Sequence, residues 1–277
     1  MTKNKIKAYA LRALVYIAAF LTLAILVLIV GYILYKGIPN IRLDLFSLDY
    51  TTENCSVMPA LINTVTMTML TLVIAVPIGI FSAIYLVEYA KRGNKLVSIV
   101  RLTAETLTGI PSIVYGLFGY LLFVTALKMS YSMLAGALTL SIMILPVIMR
   151  TTEEALMSVP DSYREGSFGL GAGKLRTVFK VILPSAVPGI LSGIILSIGR
   201  IVGETAALLF TAGSVAKTAG LMNSGRTLAV HLYALWNEGL NTDKAYATAV
   251  VILIIVLLLN RLSSLAANRI EKSHGQQ

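Results

Sequence analysis

An arginine and a glutamate lie four residues apart within a long apolar stretch of the chain, at Arg200 and Glu204. A charge at the centre of a bilayer costs about 2.5–3.5 kcal/mol on insertion scales, so such residues are rare and generally face the protein interior. Positions four apart share one face of a helix, where opposite charges can pair. In one interpretation the arginine positions an oxyanion, and the glutamate keeps its binding weak enough for release. In the other, the two residues form a structural ion pair that holds helices together.

A second candidate for the same chemistry is a proline-containing break in another apolar stretch, where residues 109–116 read GIPSIVYG. Proline removes a backbone hydrogen bond, so Pro111 should end the helix there. Broken membrane helices commonly line a cavity, which makes Ser112 and Tyr115 further candidates for a solute path. A kink that faces lipid is the alternative. Glu105, just before the break, could pair with the membrane arginine or simply lie at interfacial depth.

These residues can act within a membrane only if the chain spans it, and the composition is that of a membrane-spanning protein. The 277 residues are 57% hydrophobic and 13% charged, whereas soluble domains have about 45–50% apolar and about 25% charged residues. A spanning helix needs about 20 mostly apolar residues. The sequence therefore predicts an all-α integral membrane protein with six transmembrane helices, at about 13–35, 60–86, 102–127, 133–149, 186–210 and 245–259.

The distribution of basic residues predicts the orientation of these helices. Most lysines and arginines lie before the first span, between spans two and three, between spans four and five, and after the sixth. Because Lys and Arg accumulate on the cytoplasmic side, both termini should be cytoplasmic. The net charge of +10 then reflects topology, and a nucleic-acid partner is excluded since no basic soluble domain is present. One cysteine and two histidines leave no plausible metal site.

Two connections between the predicted spans are long. The external one, about 36–59, contains Cys55 and could be an ordered cap or a solvated loop. The cytoplasmic one, 150–184, predicts a helix starting at Pro160 and ending in the glycines of 169–173. An amphipathic helix at 175–182 should follow. Two short helices hinged on glycines suit a docking site for a partner, although a lipid-surface helix would explain the second one.

The cytoplasmic connection also carries the pattern of a known family. Glu165-Gly166-Ser167, then Gly171, then nine residues and a segment ending in Leu183-Pro184 resemble the EAA loop of type I ABC importer permeases. Gly166 and Ser167 replace the two alanines of that motif. The resemblance implies a MetI-like permease fold whose loop couples to a separate ATPase through Arg164, Glu165, Gly171, Gly173, Leu183 and Pro184.

The two intramembrane motifs indicate which group of type I ABC importer permeases the chain resembles. GIPSIVYG at 109–116 and GRIVGETAALLFTA at 199–212 are similar to the permeases of phosphate-specific ABC importers, and more to the A-type, PstA, than to the C-type, PstC. The resemblance implies a phosphate path at Arg200, Glu204 and Thr205. It also implies a heterodimer with a PstC-type permease, two PstB-type ATPase subunits and an external phosphate-binding protein, in a bacterial cell membrane.

On this interpretation the chain is no enzyme and binds no cofactor, since ATP and Mg²⁺ belong to the partner ATPase. Gly173-Lys174 is followed by leucine, which does not complete a phosphate-binding loop. The domains would be an N-terminal segment with the first helix and external loop (1–59), a MetI-like domain (60–265) and a cytoplasmic tail (266–277). The alternative is a C-type phosphate permease or a related permease for another small solute. A secondary transporter would have no reason to carry the coupling loop.

Overall fold

A computed structural model describes residues 2–91, 93–239 and 241–274, and all regular structure in these ranges is helical. Arg92, one of the basic residues between the second and third spans, lies outside the described residues, as do the last three residues of the predicted tail. The α-helices are α1 (Thr2–Gly37), α2 (Met58–Ile84), α3 (Lys95–Thr108), α4 (Ser112–Gly119), α5 (Met133–Met157), α6 (Asp161–Gly169), α7 (Lys174–Thr177), α8 (Leu183–Val202), α9 (Ala206–Thr211), α10 (Leu228–Glu238) and α11 (Thr242–His274).

Five helical stretches are long and apolar enough to cross a membrane: Lys7–Asn40, Met58–Tyr89, Met133–Met157, Lys174–Val202 and Thr242–Leu262. A sixth span is formed if the pair Lys95–Thr108 and Ser112–Ala126, bent by 105°, is counted as one. The predicted all-α membrane architecture is therefore confirmed. The predicted break around Pro111 is confirmed as well, since this proline lies between α3 and α4.

The fifth span differs from its prediction at both ends. It begins at Lys174 and continues through a π-helical turn, Val178–Ile182, into α8. The amphipathic segment at 175–182 is thus the first part of a crossing helix and no separate surface helix, because Val178 and Ile182 are buried against the end of α5. The span ends at Val202, where the prediction continued to residue 210. The fourth span extends past residue 149 to Met157.

Helix α5 is the centre of the fold. Two thirds of its most apolar window (67%) are buried within the chain, whereas none of the corresponding window of α1 is. The side chain of Ser132 accepts a hydrogen bond from the amide of Ala135 and so caps the start of α5. The main apolar cluster joins α2, α5, α9 and α10 through Met67, Leu140, Ile144, Leu208 and Val230. This core fixes the relative positions of the broken helices described below.

The connection between α1 and α2, which is predicted to be external, is an ordered cap. Leu45, Cys55 and Val57 are fully buried there, and the Ser56 hydroxyl donates to the carbonyl oxygen of Ser47. Cys55 adopts a left-handed backbone conformation with φ of 46°. Of the two alternatives for this segment, the structure therefore selects the folded cap.

Candidate functional site

The structure brings two broken helices together. One break separates α3 from α4, and the other, at residues 203–205, separates α8 from α9. Gly116 in α4 lies directly against α9, since a Cβ at this position would be 2.8 Å from the Cα of Ala207. Discontinuous membrane helices leave backbone groups free near the middle of the bilayer, which is where transporters bind their solutes. The place where these breaks meet is therefore the candidate site.

Tyr115 closes the first break. Its ring is buried, and its hydroxyl donates a hydrogen bond of 2.8 Å to the carbonyl oxygen of Leu107, near the end of α3. The amide of Ile110 also donates to this carbonyl oxygen, at 3.2 Å, so the hydroxyl of Tyr115 is a second donor at a position where Pro111 offers no N–H. Ser112 is half-buried and Pro111 is exposed. Tyr115 therefore connects the buried side of the break to α3, and the proline lies on its exposed side.

The second break separates the two charged residues of the membrane. Helix α8 ends at Val202, and the backbone of Thr205 (φ −121°, ψ −55°) is not helical. Glu204 consequently turns towards α9, where its Oε1 accepts a hydrogen bond of 3.1 Å from the amide of Ala207. The expected pair between Arg200 and Glu204 is not formed, because the two residues no longer belong to one continuous helix.

Arg200 is left without a carboxylate partner in the described ranges, where no ion pair within 4.0 Å includes it. It is half-buried at the end of α8, and the next residue, Ile201, is buried in the same apolar cluster as Tyr115. Thr205 is half-buried beside the break. The arrangement presents a guanidinium with free donors next to the buried tyrosine, and such a group can bind a planar or tetrahedral oxyanion.

Glu105 does not belong to this site. It is exposed on α3, and its charge acts on Arg150 of α5. In the part of the chain that the structure describes, it forms no ion pair with Arg200. Of the two alternatives for this residue, pairing with Arg200 is therefore not observed.

The predicted coupling segment is held together around Arg164 in α6. Its Nη2 donates to Glu88 Oε1 (2.7 Å) and to the carbonyl oxygen of Leu156 (3.0 Å). Its Nη1 donates to the carbonyl oxygen of Val159 (2.9 Å) and to Asp161 Oδ1 (3.2 Å). One side chain thus connects α6 to the ends of two membrane-crossing helices.

The rest of this segment follows the predicted outline. Glu165 is exposed on α6, and Gly171 has a φ of 80°, as expected of a helix-ending glycine. Gly173 precedes α7 in an extended conformation. Leu183 and Pro184 are half-buried at the start of α8, so they belong to the fifth crossing helix, whereas Glu165, Gly171 and Gly173 are exposed.

Two residues of structural importance escaped the sequence analysis. Glu88, the partner of Arg164, is an acidic residue near the end of an apolar stretch. A single carboxylate in that stretch, a few residues before the next basic ones, was the only signal in the sequence. Asn63 is buried in α2 and binds the segment before α10: its Nδ2 donates to the carbonyl oxygens of Lys217 (2.8 Å) and Arg226 (3.1 Å), and its Oδ1 accepts from the amide of Ala219. A lone amide in an apolar helix was the available signal.

Comparison with known proteins agrees with this architecture. The family described as "Binding-protein-dependent transport system inner membrane component" matches residues 75–274. A probable ABC transporter permease protein of Bacillus subtilis (strain 168), YqgI, is 34% identical over 268 residues, covering 88% of this chain and 89% of its own. The phosphate transport system permease protein PstA of Pasteurella multocida (strain Pm70) is 38% identical over 268 residues, which cover 93% of each chain.

Solved structures show the same fold. An inward-facing structure of the methionine ABC transporter MetNI superimposes with a TM-score of 0.61 at 21% identity, over 75% of this chain and 93% of that one. The predicted MetI-like fold is thereby confirmed.

Proposed function

Because the chain belongs to the family of binding-protein-dependent transport system inner membrane components, we propose that it is a membrane subunit of an ATP-driven importer of inorganic phosphate. The similarity to a phosphate transport system permease over 93% of both chains supports phosphate as the solute. A related permease for another small solute is the alternative, and it would share the fold without transporting phosphate.

The assignment of phosphate as the solute rests on Arg200, whose guanidinium has no acidic partner in the described ranges. Its guanidinium lies half-buried beside two helix breaks, while the nearest acidic residue in sequence, Glu204, is engaged by the backbone of α9. A guanidinium offers several fixed donors that match the oxygens of phosphate. We therefore assign Arg200 as the phosphate-contacting residue of the path, with Tyr115 and Thr205 as neighbours and Glu204 as the residue that maintains the break.

Energy would be supplied by separate ATPase subunits docked on α6 and the following glycines. Phe168 and Leu170 are 48% and 91% exposed there, and Glu165 is exposed beside them. An exposed apolar patch on a small helix is a typical interaction surface. The partners would be two PstB-type ATPases, a PstC-type permease that completes the path, and an external phosphate-binding protein, with both termini of this chain in the cytoplasm of a bacterial cell.

The test is phosphate uptake in a bacterial strain that lacks its own A-type permease and is complemented with this chain. The wild type should restore uptake. Arg200→Gln should abolish most of it while the complex still assembles, because the amide keeps the size but not the charge. Arg200→Lys should retain a fraction, since an ammonium supplies charge without the planar set of donors.

Glu204 provides the matched control. Glu204→Gln should transport nearly as well as the wild type, because an amide oxygen can still accept the hydrogen bond from Ala207. Glu204→Ala should lose the cap, at a cost of about 1 kcal/mol, and with it part of the uptake. Normal transport by Arg200→Gln would refute the assigned path, and failure of a correctly assembled wild type would refute phosphate as the solute.

A further inference from the structure

A cavity of about 990 Å³ opens on the cytoplasmic side, between the α2–α3 connection and the start of α6 and α7. It is separate from the candidate solute path, and two residues of its lining, Arg164 and Phe168, belong to the predicted coupling segment. Its lining combines basic side chains with apolar ones, among them Leu86, Val97, Met157 and Phe168. A ligand of this cavity must therefore have both an anionic group and an apolar part.

The cavity has an excess of positive charge. Among the described residues, five basic side chains line it, and two of them are neutralised: Arg101 pairs with Glu153, and Arg164 with Glu88. The lining acids are Glu88 and Asp161, and both are engaged by Arg164. The lysines of the lining are Lys91, Lys95 and Lys174, and none of them forms an ion pair within 4.0 Å across the described ranges. The three lysines of the cavity therefore have no acidic partner among the described residues.

These three lysines lie at or near the ends of stretches that are long and apolar enough to cross a membrane, where lipid headgroups are expected. Lys95 and Lys174 are the first residues of two stretches assigned to the membrane, and Lys91 follows shortly after the end of a third at Tyr89. The ammonium group of Lys174 lies 5.0 Å from the centre of the Tyr89 ring, and tyrosine is enriched at this interface. The cavity is thus a basic pocket between helix ends on the cytoplasmic leaflet, and pockets of this kind bind anionic headgroups.

We propose that this cavity binds the phosphate group of an anionic phospholipid from the surrounding bilayer. The apolar lining distinguishes the lipid from free phosphate, because a small hydrated ion gains nothing from Leu86 or Val97, whereas the glycerol and first acyl carbons do. The path for the acyl chains is present as well: Leu96, Ile99 and Leu102 on the adjacent helix α3 are 69%, 57% and 65% exposed. Because Arg164 and Phe168 also belong to the coupling segment, the bound lipid would stabilise the position of α6.

The assembled transporter is reconstituted in nanodiscs that contain phosphatidylcholine with or without phosphatidylglycerol. Native mass spectrometry then measures the lipid that remains bound to the complex. Replacing Lys91 and Lys95 by glutamine should weaken phosphatidylglycerol retention roughly tenfold or more, since each such charge contributes about 1 kcal/mol near a membrane surface. The matched control replaces Arg176 and Lys180 by glutamine, which removes the same charge from the same side outside the cavity and should leave retention unchanged.

Three results would overturn the proposal. Equal retention by the two double variants would mean that the lipid is held elsewhere. Displacement of phosphatidylglycerol by excess inorganic phosphate at constant ionic strength would identify a site for the free ion. Loss of the ATPase subunit from the cavity variant, with lipid retention per complex unchanged, would show that the cavity is filled by the partner protein.

Discussion

The guanidinium of Arg164 binds a single carboxylate oxygen of Glu88 twice, through Nη2 at 2.7 Å and Nε at 3.2 Å. Both side chains are largely buried, with exposed fractions of 16% and 8%. Glu88 is the last residue but one of the second membrane-crossing stretch, Met58–Tyr89, and Arg164 lies on α6. A movement of α6 must therefore be transmitted to that stretch through this ion pair or must break it.

Arg164→Gln should destabilise the chain by about 3 kcal/mol, the cost of leaving one partner of a buried pair alone, and should uncouple ATP hydrolysis from uptake. The exposed pair of Arg150 and Glu154, with side chains 57% and 58% exposed, provides the control, because pairs of this kind contribute at most about 1 kcal/mol. Thermal unfolding and ATPase activity of the assembled importer measure both effects. Equal losses in Arg164→Gln and Arg150→Gln would contradict the assigned role.

Two glycines of the coupling segment should respond in opposite directions to the same substitution. Gly171 has a φ of 80°, and an alanine forced into this left-handed conformation costs about 1–2 kcal/mol. Gly166 is inside α6, and a Cβ at this position would have no atom within 4 Å, so Gly166→Ala should stabilise the helix by about 1 kcal/mol. Melting temperatures of the two variants, compared with the wild type, test this. A stabilised Gly171→Ala variant would show that the turn is not required.

The contact between α4 and α9 predicts that substitutions of two glycines, Gly116 and Gly199, differ in their effect on stability. In Gly116→Ala the new methyl group would be 2.8 Å from the Cα of Ala207, so α4 and α9 must separate, and overpacking of this kind costs about 1–3 kcal/mol. Gly199 lies near the second break, and a Cβ there would meet no atom within 4 Å, so Gly199→Ala should not lower stability. Thermal unfolding measures both variants, and uptake should fall only in the first. Two equally stable variants would mean that the breaks do not depend on this contact.

His231 of α10, whose ring centre lies 6.0 Å from that of Tyr50 in the cap, should make this part of the fold sensitive to acid. Burial, followed by the positive charge of Arg226, lowers the pKa of this imidazole from 6.5 to about 3. Because the unfolded chain takes up the proton near pH 6.5 and the folded chain only near pH 3, this contribution to stability is complete above pH 6.5 and is lost progressively as the pH falls towards 3. The sole tryptophan, Trp236, lies on the same helix, α10, and its fluorescence can follow unfolding.

The wild type should therefore lose stability more steeply below pH 6.5 than His231→Gln, whose side chain does not titrate. Carboxylates contribute equally to both curves, so the difference isolates the imidazole. Parallel curves for the two proteins would show that His231 is accessible to protons in the folded cap.

The sequence by itself determined the membrane class, the order of the spans, the break at Pro111 and the turn at Gly171. These features depend on local properties, since hydropathy, proline and glycine act within a few residues of their own position. The family motifs extended this to a MetI-like importer subunit, because Glu165, Gly171 and the Leu183-Pro184 pair lie close together along the chain.

Only the tertiary structure decided which charges meet. The spacing of Arg200 and Glu204 predicts a pair on a helix, but the chain leaves the helix between them and the carboxylate binds the backbone of α9. Arg164 finds Glu88, which is 76 residues away in sequence, and the cap over Cys55 forms because Leu45 and Val57 are buried in one apolar cluster with Leu228. Long-range partners are chosen by the packing of whole helices around α5, and no local pattern contains that information.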